Sequence, residues 1–237
     1  MFGVDWAFYA PTLARAVVRT IEFTVLGFAG AVVCGLVIAL LRISPVPPLR
    51  LIARVYTETF RNLPLITELF IIYFGLASLG IRLSVVSAGA LALSLFYGAY
   101  LSEIFRGALQ GVHRSQREAA AASGLSPLAT FRYVILPQAI RLALPGTSTM
   151  LVDLLKATSL MVTIGGAELM TEAGIIVGDT FRAMEVYVVI GLIYLAMAYP
   201  LSQLSLLLER KLQAGGPLLP HRRRVWRLVR ELAKERG

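Results

Sequence analysis

The sequence predicts an all-helical membrane protein of five transmembrane spans, N-terminus outside and C-terminus in the cytoplasm. Three observations carry that prediction. Of the 237 residues 57% are hydrophobic and only 16% charged, and a water-soluble globule of that composition would expose too much apolar surface. The charges are spaced so that long apolar runs lie between them at 23–41, 62–81, 83–102, 142–167 and 186–208. A span needs about 20 mostly apolar residues, and runs of this length satisfy their backbone in lipid as helices. Finally, 18 of the 23 Lys and Arg residues fall on one side of these spans and 4 on the other, with Lys156 inside a span. By the positive-inside rule the richer side is cytoplasmic. The net charge of +9 is thus a topology signal, and no nucleic-acid partner is expected.

Taken in order, residues 1–22 form an external N-terminal segment. The first run is too long for a signal-peptide core, and no small-residue cleavage site closes it. It reads as a retained helix, and a single permeating domain extends over 23–208. Span two carries one acid, Glu68, to which the sequence assigns no role. Span three ends in Glu103 and Arg106, spaced for an i, i+3 ion pair at a helix end.

The segment 113–137, between spans three and four, is the most informative. Ser115 and Glu118 have the spacing of a capping box that starts a helix. Ala119 to Ala122 continue it, and Gly124 suits the left-handed residue that ends it. Ser126-Pro127 then pairs an N-cap with a proline at the first helical position, and this second helix must stop or kink by Pro137. The first helix presents small alanines flanked by Arg114, Arg117 and Glu118. Two readings fit this surface: a docking site for a cytoplasmic partner, or a loop packed on its own spans.

The pattern Glu118-Ala119-Ala120, three residues, Gly124, nine residues, Val134-Ile135-Leu136-Pro137 resembles the EAA loop of ABC-transporter permease subunits, with valine where that family has isoleucine. The stretches FRNLPLITELFIIYFGL (60–76), GAYLSEIFRGALQ (98–110), LLKATSL (154–160) and TFRAMEVY (180–187) resemble its polar amino acid uptake subfamily. Together they cover roughly residues 20–210. The resemblance implies the membrane subunit of an importer. The helix carrying Arg114, Arg117, Glu118, Ala119, Ala120 and Gly124 would then be the coupling helix that docks on an ATP-binding subunit. It further implies a second permease chain, identical or paralogous, an extracytoplasmic solute-binding protein and a polar amino acid as cargo. ATP would bind the partner and no cofactor this chain: none of the three lysines follows a glycine, so no phosphate-binding loop is present.

Span four holds the candidate substrate path. Thr149, Asp153 and Lys156 share a helical face at i, i+4 and i+7, and Asp153 falls close to the middle of the span. An acid there either serves the substrate, as a contact for an ammonium group, or pairs with Lys156 and holds the helix. Met150, Thr158 and Ser159 complete the candidate set. Here the chain departs from the subfamily, with Thr149 and Met150 in place of Asn and Glu or Gln, and Ala157 in place of the aspartate after the lysine.

Gly165-Gly166 breaks the chain after span four. The outer segment 165–185 is acidic, with Glu168, Glu172, Asp179 and Glu185, and reads as a solvated loop or a surface for an external partner. The tail, 209–237, is basic. Val225, Leu228, Val229 and Leu232 fall on one helical face beside Trp226, a pattern that suits a helix on the anionic inner leaflet; a solvated tail or a second contact with the ATPase are the alternatives. One cysteine and two distant histidines offer no metal motif, and no catalytic motif is found. The competing function classes are an ion- or proton-coupled secondary transporter, which would show internal repeats that this chain lacks, and a non-transporting membrane adaptor.

Overall fold

The computed structural model describes residues 3–213, all in helices and short connections. Helix α1 (Trp6–Ile43) starts with the Asp5 side chain accepting from the Phe8 amide. At 1.5 Å per residue its 38 residues span about 57 Å, well beyond a bilayer core of about 30 Å. Most of the predicted N-terminal segment 1–22 is therefore the first part of this helix. Helix α2 (Pro47–Asn62) meets α3 (Leu65–Phe70) at a bend of 109°. Pro64, with no amide hydrogen, caps α3 and prevents α2 from running straight through. A π-helical stretch, Ile71–Gly75, leads from α3 into the short α4 (Leu76–Ser78).

Helix α5 (Val85–Gly111), capped by Ser84, lies along α1. Small residues let the two backbones approach. A Cβ added to Gly35 would sit 2.8 Å from that of Leu101, and one added to Gly98 2.9 Å from that of Cys34. Ala31, Ala88 and Ala92 are fully buried in the same interface.

Beyond α5 come α6 (Arg114–Ala122), α7 (Pro127–Thr130), a π-helical stretch at Phe131–Ile135 and α8 (Leu136–Ala157). The chain neither stops nor breaks at Pro137. The wide π turn immediately before it takes up the proline, and Pro127–Ile164 runs on as one long helical unit. Its last turns tighten to a 3₁₀ helix, Thr158–Ile164, closed by Gly165 at φ 76°. Helix α9 (Leu169–Thr180) and helix α10 (Ala183–Gln213) complete the order.

Four helices among the described residues are long and apolar enough to cross a membrane: α1, α5, the 127–164 unit and α10. The bent pair α2–α4 makes a fifth if counted as one span. One apolar core joins α1, α3, α5 and α8 around Phe23, Leu69, Leu93, Tyr97, Leu154 and Met161. A second joins the first part of α1 to α9 and α10 through Leu13, Ala16, Leu169, Ile176 and Ile190. The first residues of the predicted basic tail extend α10, and its amphipathic stretch from Val225 to Leu232 lies outside the described residues.

Candidate functional site

The helix α6 that follows α5 is exposed along nearly its whole length; only Ala120 turns inward. Its start corrects the capping box. The N-cap is His113, whose Nδ1 accepts from the Ser115 amide at 3.3 Å and meets the Ser115 hydroxyl at 2.7 Å. Nδ1 stands as many bonds from the backbone as the oxygen of Asn or Asp, so a histidine can take the same local role. Ser115 thereby falls inside the first turn, and Glu118 is not a cap. Its carboxylate instead accepts from Arg114 Nε at 2.8 Å, one turn back, with side-chain exposures of 89% for Arg114 and 62% for Glu118.

The end of α6 follows the sequence reading. Gly124 has φ 76°, and the Leu125 amide donates to the Ala120 carbonyl across it, the bonding that closes a helix around a left-handed residue. Ser126 accepts from the Ala129 amide with Pro127 at the first position of α7. Arg117 reaches the Leu109 carbonyl at 3.3 Å and Gln116 accepts from Gln138 at 3.3 Å, so α6 is tied to α5 and α8. Arg114, Glu118 and Ala119 face away from the chain.

On α8, Thr149, Asp153 and Lys156 share an exposed face, as their spacing predicts. Lys156 Nζ stands 3.7 Å from Asp153 Oδ1, a loose contact. The firmer partner is Tyr97 on α5, whose hydroxyl donates to Asp153 Oδ2 at 2.9 Å. Tyr97 was missed by sequence reasoning. It sits in an uncharged run among several aromatic residues, and its only signal is a polar atom that a buried tyrosine must satisfy. Asp153 itself remains 56% exposed at its side chain. Thr149 donates to the Pro145 carbonyl, Met150 leans on the main core, and Ser159 donates to the Lys156 carbonyl. Thr158 stands apart from the others: it is fully buried, with its hydroxyl on the Leu155 carbonyl.

Glu103 binds Arg106 as the i, i+3 spacing predicts, and Arg42 of α1 joins it at 2.8 Å. The acidic segment 165–185 is not a solvated loop. Glu168 is fully buried and caps α9 through the Met170 and Thr171 amides, each at 2.9 Å, while also accepting from the Tyr194 hydroxyl. Burial pushes its pKa up, and those hydrogen bonds oppose the shift. Asp179 accepts from Tyr9, and Glu185 from the Gly3 and Val4 amides and from Arg182. Alternation of acids with apolar residues allowed a docked helix here as readily as a loop, and the fold chose the helix.

A cavity of about 470 Å³ lies between α1, α5 and α8, walled by Leu36, Ala39, Phe105, Ala108, Phe131 and Ala143 among others. Its lining offers no charged group. Among the described residues no three His, Cys, Asp or Glu side chains converge as a metal site.

Residues 31–214 match the family described as "Binding-protein-dependent transport system inner membrane component". The chain is 42% identical over 184 residues to the probable amino-acid ABC transporter permease protein YckA of Bacillus subtilis (strain 168), covering 78% of this chain and 81% of that one. It is 35% identical over 205 residues to the glutamine transport system permease protein GlnP of Escherichia coli (strain K12), covering 86% and 94% respectively. Among solved structures, a chain from the crystal structure of an amino acid ABC transporter with histidines superposes with a TM-score of 0.82 at 36% identity, covering 89% of this chain and 100% of that one. An inward-facing MetNI methionine ABC transporter shares the fold, with a TM-score of 0.72 at 20% identity, covering 86% of this chain and 97% of that one. The chain belongs to the binding-protein-dependent inner membrane components and is a multi-pass permease subunit of an ABC transporter, whose ATP hydrolysis resides in a separate subunit.

Proposed function

We propose that this permease imports a polar amino acid, paired with a second permease chain, identical or paralogous, and standing on two ATPase subunits. The named relatives support the amino acid class of cargo. The 18-to-4 division of basic residues supports an external N-terminus and a cytoplasmic C-terminus. The observation that carries the coupling role is α6. Its Arg114–Glu118 pair and its alanines other than the buried Ala120 face away from the chain, while its ends are fixed by His113 and Gly124 and its side by Arg117 and Gln116. A short helix so anchored is a rigid handle. Arg114, Arg117, Glu118, Ala119 and Gly124 form the surface that an ATPase groove grips, Ala120 packs it onto the chain from beneath, and closure of the ATPases moves it together with α5 and α8.

On the substrate side, Thr149, Asp153 and Ser159, with Met150 and Thr158 behind them, line the path between the two permeases. Tyr97 fixes the Asp153 carboxylate through Oδ2, and an ammonium group of the cargo replaces the loose Lys156 contact at Oδ1. An extracytoplasmic binding protein delivers the cargo at the opposite end, and the basic tail rests on the inner leaflet or on the ATPase. The test is ATP-driven uptake by the assembled transporter in proteoliposomes, with Glu118→Ala compared at equal expression. Uptake falls while the ATPase still turns over if α6 couples the two; unchanged uptake sinks the assignment.

A further inference from the structure

Glu68 has no part in the transport reading above. It is 3% exposed, and neither carboxylate oxygen has a hydrogen-bond partner among the described residues. Among the described residues no ion pair includes it. Its helical neighbours Leu65, Leu69 and Ile72 are buried in the core with Leu93, Tyr97 and Leu101. An ionised carboxylate in such a place lacks both water and a counter-charge, whereas a neutral acid can occupy it at far smaller cost.

Titratable and charged side chains on the surrounding elements include Cys34 and Arg42 on α1, Arg54, Tyr56, Glu58 and Arg61 on α2, Tyr73 on the π-helical stretch, and Tyr97, Tyr100, Glu103 and Arg106 on α5. Most are engaged elsewhere: Tyr56 with the Leu95 carbonyl and Cys34, Tyr97 with Asp153, and Tyr100 with the Arg61 carbonyl. Of the charges on those helices, Arg61 lies over the Tyr100 ring and Glu103 is held between Arg42 and Arg106. The position of Glu68 is mechanical as well. It stands four residues after Pro64 at the 109° bend and three before the π-helical stretch Ile71–Gly75, and π segments of this kind recur at functional sites.

We propose that Glu68 is a proton-binding residue of this bend. It is protonated while the bend is packed as here, it releases its proton to water when the transport cycle opens the bend, and it takes one back on closing. The carboxylic acid becomes a carboxylate and a water molecule receives the proton, so nothing else is consumed. The cycle part of this proposal rests on the importer reading; the protonation part does not.

The experiment is infrared spectroscopy of the whole transporter in lipid at neutral pH, with ATP hydrolysis followed across pH on the same samples. The native protein shows a protonated-carboxyl carbonyl band that is lost in Glu68→Gln and moved in Glu68→Asp. Subtraction of the variants separates it from the other buried acid, Glu168. The rate of ATP hydrolysis changes at alkaline pH in the native protein, and this change flattens in Glu68→Gln. Absence of any Glu68-dependent band overturns the protonation. A band with an unaltered pH profile in Glu68→Gln overturns the role in the cycle. If the Gln variant fails to assemble, the Asp variant decides by its shifted band, and failure to import amino acids leaves the band readable.

Discussion

Replacement of Glu168 by alanine isolates the polar anchor of α9 from its apolar contacts. The native carboxylate accepts from the Met170 and Thr171 amides at the first turn and from the Tyr194 hydroxyl of α10. Loss of an N-cap costs about 0.5–2 kcal/mol. The half-buried Tyr194 hydroxyl loses its carboxylate acceptor, which adds about 1–3 kcal/mol. Together these give about 2–5 kcal/mol, enough to loosen α9 locally without unfolding the spans. Because about 1.4 kcal/mol is tenfold in an equilibrium constant, exchange of the α9 amides for deuterium should accelerate roughly 30- to 3,000-fold. Hydrogen exchange of the purified transporter in nanodiscs, read by mass spectrometry on the 166–180 peptide, measures it directly. Acceleration below about tenfold would refute the reasoning; Leu169, Ala173 and Ile176 packed on Leu13, Ala16, Val186 and Ile190 would then suffice to hold the helix. The pH dependence has a definite sign. Burial holds the Glu168 pKa above the usual 4.5, so in the window between the ordinary and the raised value the folded chain keeps a proton that the unfolded chain has released. This contribution to stability is complete below the ordinary value and is lost as pH rises through the raised one. Glu168→Gln should remove that slope from thermal unfolding measured across pH.

Further predictions concern the handle, the path and the α1–α5 seam. Glu118→Ala removes an exposed pair worth at most about 0.5 kcal/mol, so its midpoint of thermal unfolding should match the native one even as uptake falls; a large drop in stability would make α6 a structural element instead. Asp153→Asn keeps the Tyr97 contact and removes the charge, so it should weaken uptake of the amino acid at least tenfold, as removal of a charge-assisted contact worth about 1.5–3 kcal/mol does; unchanged affinity and specificity would leave Asp153 a partner of Lys156 only. Gly35→Val would drive side-chain carbon into Leu101 and should cost about 1–3 kcal/mol by overpacking, seen as a lower unfolding temperature. Normal stability of that variant would mean that α1 and α5 slide apart more easily than their fully buried alanines imply.

Much of this protein is local in the chain. A long uncharged run must close its own hydrogen bonds in lipid, so the helices follow from charge spacing alone. Gly124 and Gly165 end helices because only a residue without a Cβ enters the left-handed region freely, and Ser126-Pro127 starts one because its cap and fixed φ act within three residues. The exposed face of Thr149, Asp153 and Lys156 follows from helical period. What the tertiary structure decided depends on partners far away in sequence. The His113 cap is the exception, a contact with Ser115 only two residues on. Tyr97, 56 residues from Asp153, sets that carboxylate through the packing of α5 on α8. Glu168 and Glu68 are both acids in a string of letters, yet one is enclosed with the Met170, Thr171 and Tyr194 donors and the other with none among the described residues. Charge and period are properties of a segment, whereas burial and hydrogen-bond satisfaction are properties of the neighbours that folding brings to it.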